Sequence, residues 1–393
     1  MGNNLVVILG AGFSRPTGLP LANDIRERFD RDQRKKLLLF GSSEWTWVDG
    51  KRDVDKHNGS IDPDNTVYSY ILNEAIKKYK SEKGSFDNYE LFYQWINDIS
   101  FSQDIKGQIY ENAKSELLND YPFIGEFKPE YEGDTSPYLY SFKNDSSLSK
   151  LSGIVNYLIA DLLSYSDSQF NTSLHEYGQF FTYIRGFQEV DIFTLNHDLL
   201  LENLCKAYGA KYSRGFTKQD SEIHYQDEGT SIAVFKGTFD KPIRIHKLHG
   251  SLDFYRFEHY IKGEKPYLEP TGEYNYFTTT NYREKHFAIR VDPETKKTLQ
   301  DLNSDIIPKF ITGTDKTKII KNDLMYSVLF KRFEKCVAET ENILISGYSF
   351  GDKHINNELQ KREDFEVINQ NPGNEYPYVA SNISNIKYLS ELL

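Results

Sequence analysis

Leu5-Val-Val-Ile-Leu9 is a run of five apolar residues that breaks at once on Gly10-Ala11-Gly12. A run with no polar alternation suits a strand buried on both faces, which is the situation of a parallel sheet covered by helices. Val190-Asp-Ile-Phe-Thr194 reads as a second buried strand, Ile243–Leu248 is a third strand candidate, and Asn342-Ile-Leu-Ile345 is a fourth, apolar strand. Helical segments are expected over Leu21–Phe29, Leu199–Ala207 and Asp323–Ala338. The alternation predicts an α/β fold, a Rossmann-like, mostly parallel sheet with helices on both faces.

The stretch from Arg31 to Phe187 has a different character. Leu148, Leu151, Val155, Leu158 and Leu162 recur at helical spacing, so Leu148–Tyr165 reads as an amphipathic helix. Thr66–Lys80, Tyr89–Ile99 and Leu174–Phe187 also read as helices. We therefore expect a mostly helical insertion at 31–187, dividing a discontinuous sheet domain made of 1–30 and 188–393. Asp253–Thr298 is rich in Tyr, Phe and Thr, with Pro and Gly punctuation, and reads as a β-hairpin excursion.

Composition narrows the function. Cys205 and Cys336 are the two cysteines among 393 residues, which rules out a disulfide framework and a four-cysteine zinc site. A net charge of -11 disfavours nucleic acid as the main ligand, so no direct sequence-specific nucleic-acid binding is expected. No run reaches the roughly 18 apolar residues of a membrane span, and Leu5–Leu9 is too short for a signal peptide. The expected location is the cytoplasm, away from membranes. The 28 Tyr and 26 Phe point to large buried or interface surfaces.

Polar and small residues gather where the apolar runs end. Gly10-Ala11-Gly12-Phe13-Ser14 follows the first run, either as a nucleotide-binding turn or as a plain structural one. Arg15 stands where the dehydrogenase fingerprint needs a third Gly, which disfavours hydride transfer. Asn196-His197-Asp198 follows the second run, with Asp198 also readable as a helix cap. Lys247-Leu-His249-Gly250 ends the third, placing Lys247 and His249 on one face. Gly347-Tyr-Ser349-Phe350 follows the fourth, with Asp352 readable as a cap. Open parallel sheets bind ligands outside the carboxyl ends of their strands, so four such motifs predict one shared pocket. An amide, a carboxylate and an imidazole in that pocket suit a nucleotide and bond cleavage at a sugar.

These motifs, with Gly18-Leu-Pro20, resemble in order those of the sirtuin-like superfamily. The resemblance covers the sheet-forming parts, not the insertion. Leu21-Ala-Asn23 stands where sirtuin deacylases carry Asp-Phe-Arg, and their four-cysteine zinc module has no counterpart, so no zinc is expected. The sequence is more similar to the bacterial branch found in anti-phage systems, whose members hydrolyse NAD. Its length resembles the stand-alone subunit that partners a HerA-type ATPase.

The resemblance implies that NAD is the substrate and that NAD depletion serves defence. It implies that Asn196 orients the attacking water and that His249 is a general base or contacts the ribose hydroxyls. Asp198 would hold the nicotinamide carboxamide. Gly10, Ala11, Gly12, Phe13 and Ser14 would form the pyrophosphate turn, and Gly347, Ser349 and Phe350 the adenosine side. His197 stands where an apolar residue is usual. A homo-oligomer and a HerA-type ATPase partner are the expected assembly. Competing expectations are a zinc-free NAD-dependent deacylase, a non-catalytic NAD or ADP-ribose sensor, and a nuclease subunit of a complex.

Overall fold

The computed structural model describes residues 4–40, 44–50, 63–99, 103–125, 142, 147–218, 222–225, 232–262, 268–279, 286–305, 307–310 and 316–392. They form two compact units. One takes the described residues of Met1–Leu19, Asp167–Ile311 and Asp315–Leu393, the other those of Pro20–Ser166. The boundaries fall at 19/20 and 166/167, where the sequence reading set 30/31 and 187/188.

The first unit contains a seven-stranded sheet. Its strands are β1 (Asn4–Leu9), β2 (Glu189–Thr194), β3 (Tyr212–Ser213), β4 (Ile243–Lys247), β5 (Asn342–Ser346), β6 (Glu366–Gln370) and β7 (Asn382–Ile386). They lie in the order β7-β6-β5-β1-β2-β4-β3, and every pairing is parallel. The expected α/β architecture, a parallel sheet flanked by helices, is the one found. β1 lies between β5 and β2, so Leu5–Leu9 are all buried, which is why this strand has no polar alternation. Val6 and Ile8 share a core with Phe193, Leu248, Ile343 and Ile345, on which Leu329, Phe333 and Val337 of the helix Leu324–Glu339 also pack. Asp323 caps that helix by accepting from the Tyr326 N–H at 3.1 Å. β6 and β7 were not foreseen; the β7 strand Asn-Ile-Ser-Asn-Ile is largely exposed and has no apolar run to announce it.

The expected hairpin excursion is a larger object. Gly215–Thr217, Ala233–Thr238, Leu268–Thr278, Phe254–Lys262, Thr298–Ser304, Phe287–Val291 and Ile223–Tyr225 form, in that spatial order, a second seven-stranded sheet with antiparallel pairings. Tyr255, Phe257, Phe277, Ala288 and Leu302 meet in its core. Along Phe254–Lys262, buried Tyr255, Phe257 and His259 alternate with half-buried Arg256, Glu258 and Tyr260. This is the period-2 pattern of a sheet with one covered face, and it dilutes the apolar runs that mark a parallel strand.

The second unit holds the helices Ala22–Asp30, Pro63–Lys83, Tyr89–Ile99, Gln103–Asp120, Pro122–Gly125 and Ser147–Leu162, and one short hairpin, Leu37–Phe40 with Glu44–Trp47. Phe29, Trp47, Tyr79, Phe86, Phe92 and Trp95 make an aromatic core in it. No described helix is long and apolar enough to cross a membrane.

Candidate active site at the carboxyl edge of the parallel sheet

Strand register brings the four motifs together. Leu9 pairs with Ser346 on one side and Thr194 on the other, and Thr194 pairs with Lys247. The adjoining strands β5, β1, β2 and β4 therefore end at one level, and the loops that follow begin side by side. The chain leaves β1 toward β2 and later returns on its other side as β5, the reversal at which open parallel sheets form a crevice.

The glycine turn is shaped first by its neighbour loop. Gly10 N–H donates to Ser346 O at 3.0 Å, Gly12 N–H to Gly347 O at 3.0 Å, and Phe13 N–H to Gly10 O at 3.0 Å. A Cβ on Gly10 would lie 2.5 Å from Gly347 O, and one on Gly12 2.7 Å from Gly347 Cα. Gly347 itself has φ 64°, and a Cβ there would collide with the Phe13 nitrogen. These glycines are required because two backbones touch, and their N–H groups are spent inside the protein. Phe13 is buried, its ring against Tyr177 and Phe180, so it anchors the turn. Ala11 is half-buried.

Ser14 joins this turn to the loop after β2. Its hydroxyl donates to Asp198 Oδ2 at 2.9 Å and accepts from Asn196 Nδ2 at 3.0 Å. The same Nδ2 donates to Gly10 O at 2.9 Å. A carbonyl only accepts, so this contact fixes the amide's orientation and leaves Oδ1 as the pole not used on the turn. Asp198 also accepts from the N–H of Leu200 at 2.9 Å, the first residue of the helix Leu200–Ala207, although the N-cap position itself is Leu199 and not Asp198. Burial holds its carboxyl above the usual range, against the pull of Lys247. Lys247 is buried and donates to the carbonyls of Asn196, at 3.3 Å, and of Asp198.

His249, after β4, is buried and meets groups beyond β5. Its Nε2 lies 3.2 Å from His354 Nε2 and 3.8 Å from Asp352 Oδ1, which also takes Lys316 Nζ at 3.0 Å. Burial, then the Lys316 charge, push the His249 imidazole well below its ordinary pKa, so it is neutral at pH 7. His197 is pushed down to about 3, again chiefly by burial. Its ring sits 4.8 Å from that of Phe310 and 6.4 Å from that of His249. Ser349 is exposed. Phe350 adopts φ 58°, unusual for a non-glycine residue, and its ring rests among Tyr348, Tyr376 and Tyr378.

Residues 190–381 match the family described as a SIR2-like domain. The matched span is just under half of the chain. No curated protein matches. One solved structure, described as "The Structural basis of Sirtuin Substrate Affinity", is similar at 11% identity with a TM-score of 0.31, covering 99% of this chain and 91% of that one.

The SIR2-like span contains Asn196, Asp198, His249, Gly347, Ser349 and Phe350, while Gly10–Ser14 lies before it. Register and hydrogen bonds bring that turn to the SIR2-like loops. The sequence reading gave Lys247, Lys316 and His354 no role, and it read Asp352 only as a cap. The Asp352 side chain makes no capping bond and turns to Lys316 instead. Lys247 closes the strand Ile243-Arg-Ile-His-Lys247, where apolar and polar residues alternate, so no apolar run announces its burial. Lys316 and His354 carry no local signal, because their place beside His249 is a product of the sheet order.

Proposed function

We propose that the chain hydrolyses the N-glycosidic bond of NAD to nicotinamide and ADP-ribose. The observation that carries this reading is the Asn196 amide locked to Gly10 O and Ser14 Oγ, at the level where β1, β2, β4 and β5 end together. With its NH₂ committed, Asn196 has Oδ1 to accept from a water. The neutral His249 is ready to accept that water's proton as the C1′–O bond forms and the C1′–N bond breaks. Nicotinamide leaves as a neutral molecule, so the step needs no general acid. The transition state is oxocarbenium-like, and the protein's task is positioning and charge placement. The match to a SIR2-like domain supports NAD as the ligand. Because the glycine N–H groups are spent, the pyrophosphate would be held by other donors at this edge.

Incubation with NAD alone tests the reading, since a deacylase would need an acyl-lysine peptide to release nicotinamide. Asn196→Ala and His249→Ala are each expected to lower turnover by about 10²-fold or more. Wild-type rates in either folded variant would sink the assignment.

The resemblance to defence-associated NAD hydrolases extends the proposal to a cytoplasmic enzyme held off until it assembles. Nicotinamide release with and without a HerA-type ATPase, read beside light scattering of the chain, tests that extension. A strict monomer unaffected by the ATPase would count against it.

A further inference from the structure

His249, Asp352 and His354 each offer one ligand atom, and these atoms all lie within 4.8 Å of one another. Donors about 2.0–2.1 Å from a tetrahedral metal ion lie roughly 3.3 Å apart. The separations from His249 Nε2, 3.2 Å to His354 Nε2 and 3.8 Å to Asp352 Oδ1, are close to that edge length. Two imidazoles and one carboxylate make a three-ligand zinc set with a fourth position open. Asp352 stands at the cap position of the helix Lys353–Leu359 without making a side-chain cap bond, so its carboxylate is committed to this cluster.

We infer that His249, Asp352 and His354 bind a divalent transition-metal ion of the zinc class, and that this ion and NAD hydrolysis exclude each other. The second half rests on the function proposed above. A neutral imidazole has one basic lone pair. Once it is donated to the metal, His249 has none left to accept a proton from water. Lys316 holds the metal's place, its ammonium 3.0 Å from the Asp352 oxygen that would ligate the ion. The ammonium and a metal cation compete for the Asp352 carboxylate by charge, so Lys316 weakens metal affinity. The other groups packed here are the His197 ring against His249, the Phe330 ring against His354, and the Tyr348 hydroxyl, which contacts the Asp352 backbone.

The test is a cobalt(II) titration of the full chain after chelator treatment, read by visible d–d absorption, with zinc then displacing the cobalt. One equivalent should bind. His354→Ala and Asp352→Asn, each checked for folding by circular dichroism, should weaken binding at least about tenfold. Lys316→Met should tighten it. No cobalt bands, or bands of unchanged affinity in both ligand variants, would overturn the site. In a second arm, zinc at the concentration that displaces cobalt should abolish nicotinamide release from the wild type. Unchanged release at that concentration would overturn the exclusion. A metal-free chain that hydrolyses no NAD either alone or with a HerA-type ATPase would overturn the proposed function, while the cobalt arm still decides the metal site.

Discussion

Lys247 carries its ammonium group into the protein, where its side chain is 1% exposed. Burying a charge costs several kcal/mol unless partners offset it. The partners are the Asn196 and Asp198 carbonyls and Glu202, whose Oε1 is 3.5 Å away. Glu202 is itself shared with Arg214, which pairs with Asp253 at 2.7 Å. Lys247 is thus a positioning residue, holding both carbonyls of the turn that carries Asn196. Lys247→Met keeps the stem and removes the charge. We expect a stability loss of about 1–3 kcal/mol in urea unfolding, since the Asn196 and Asp198 carbonyls lose a buried donor while Glu202 keeps Arg214. In the folded fraction, kcat should fall more than KM rises, because the turn loosens around the attacking water. A full kcat in the folded variant would remove the positioning role.

At the scale of elements, the contact between the turn after β1 and the loop after β5 is backbone on backbone. Gly347 meets two demands at once, a left-handed φ and no room for a Cβ. Gly347→Ala should cost more than about 2 kcal/mol, from backbone strain of about 1–3 kcal/mol plus the collision with Phe13. Gly351→Ala is the control. A Cβ there has Ser349 Oγ as its nearest neighbour, at 3.6 Å, so the change should stay within about 0.5 kcal/mol. Equal losses in the two variants, measured by thermal unfolding, would show that the loops do not pack as described.

At the scale of the whole molecule, buried neutral histidines tie folding to pH. His197 is pushed down to about 3 by burial, and burial also lowers His246, which lies 2.8 Å from Asp191. An unfolded histidine titrates near 6.5. A lowered folded value means the unfolded chain binds the proton first. The contribution to stability is therefore complete above about pH 6.5 and falls as the pH drops toward the folded values. His197 adds a slope of about 1.4 kcal/mol per pH unit in that window, and His246 acts in the same direction. Asp191, held low despite burial by His246 and Arg244, adds a further loss only below about pH 4. Urea midpoints by circular dichroism, taken in chelator, should drop between pH 7.5 and 5.5. A flat profile there would mean these histidines are not buried neutral.

The parallel sheet is legible in the sequence, because a strand covered on both faces needs an unbroken apolar run, and Leu5–Leu9 and Ile343–Ile345 supply one locally. The sequence also placed Asn196, His249 and Gly347 at strand ends, where an open sheet gathers its ligands. What each of them touches follows from packing between distant segments. The glycines expected at a pyrophosphate turn also make a backbone contact between loops 337 residues apart in chain position, Gly10 to Gly347. Ser14 reaches Asp198, Lys247 turns inward, and His354 and Asp352 come up beside His249. The antiparallel sheet, the edge strand β7 and its neighbour β6 also emerged only in the folded chain, since their residues alternate or stay exposed. Periodicity is a property of neighbours along the chain. Side-chain partners are set by which strands lie side by side, and that order is fixed only when the whole sheet closes its core.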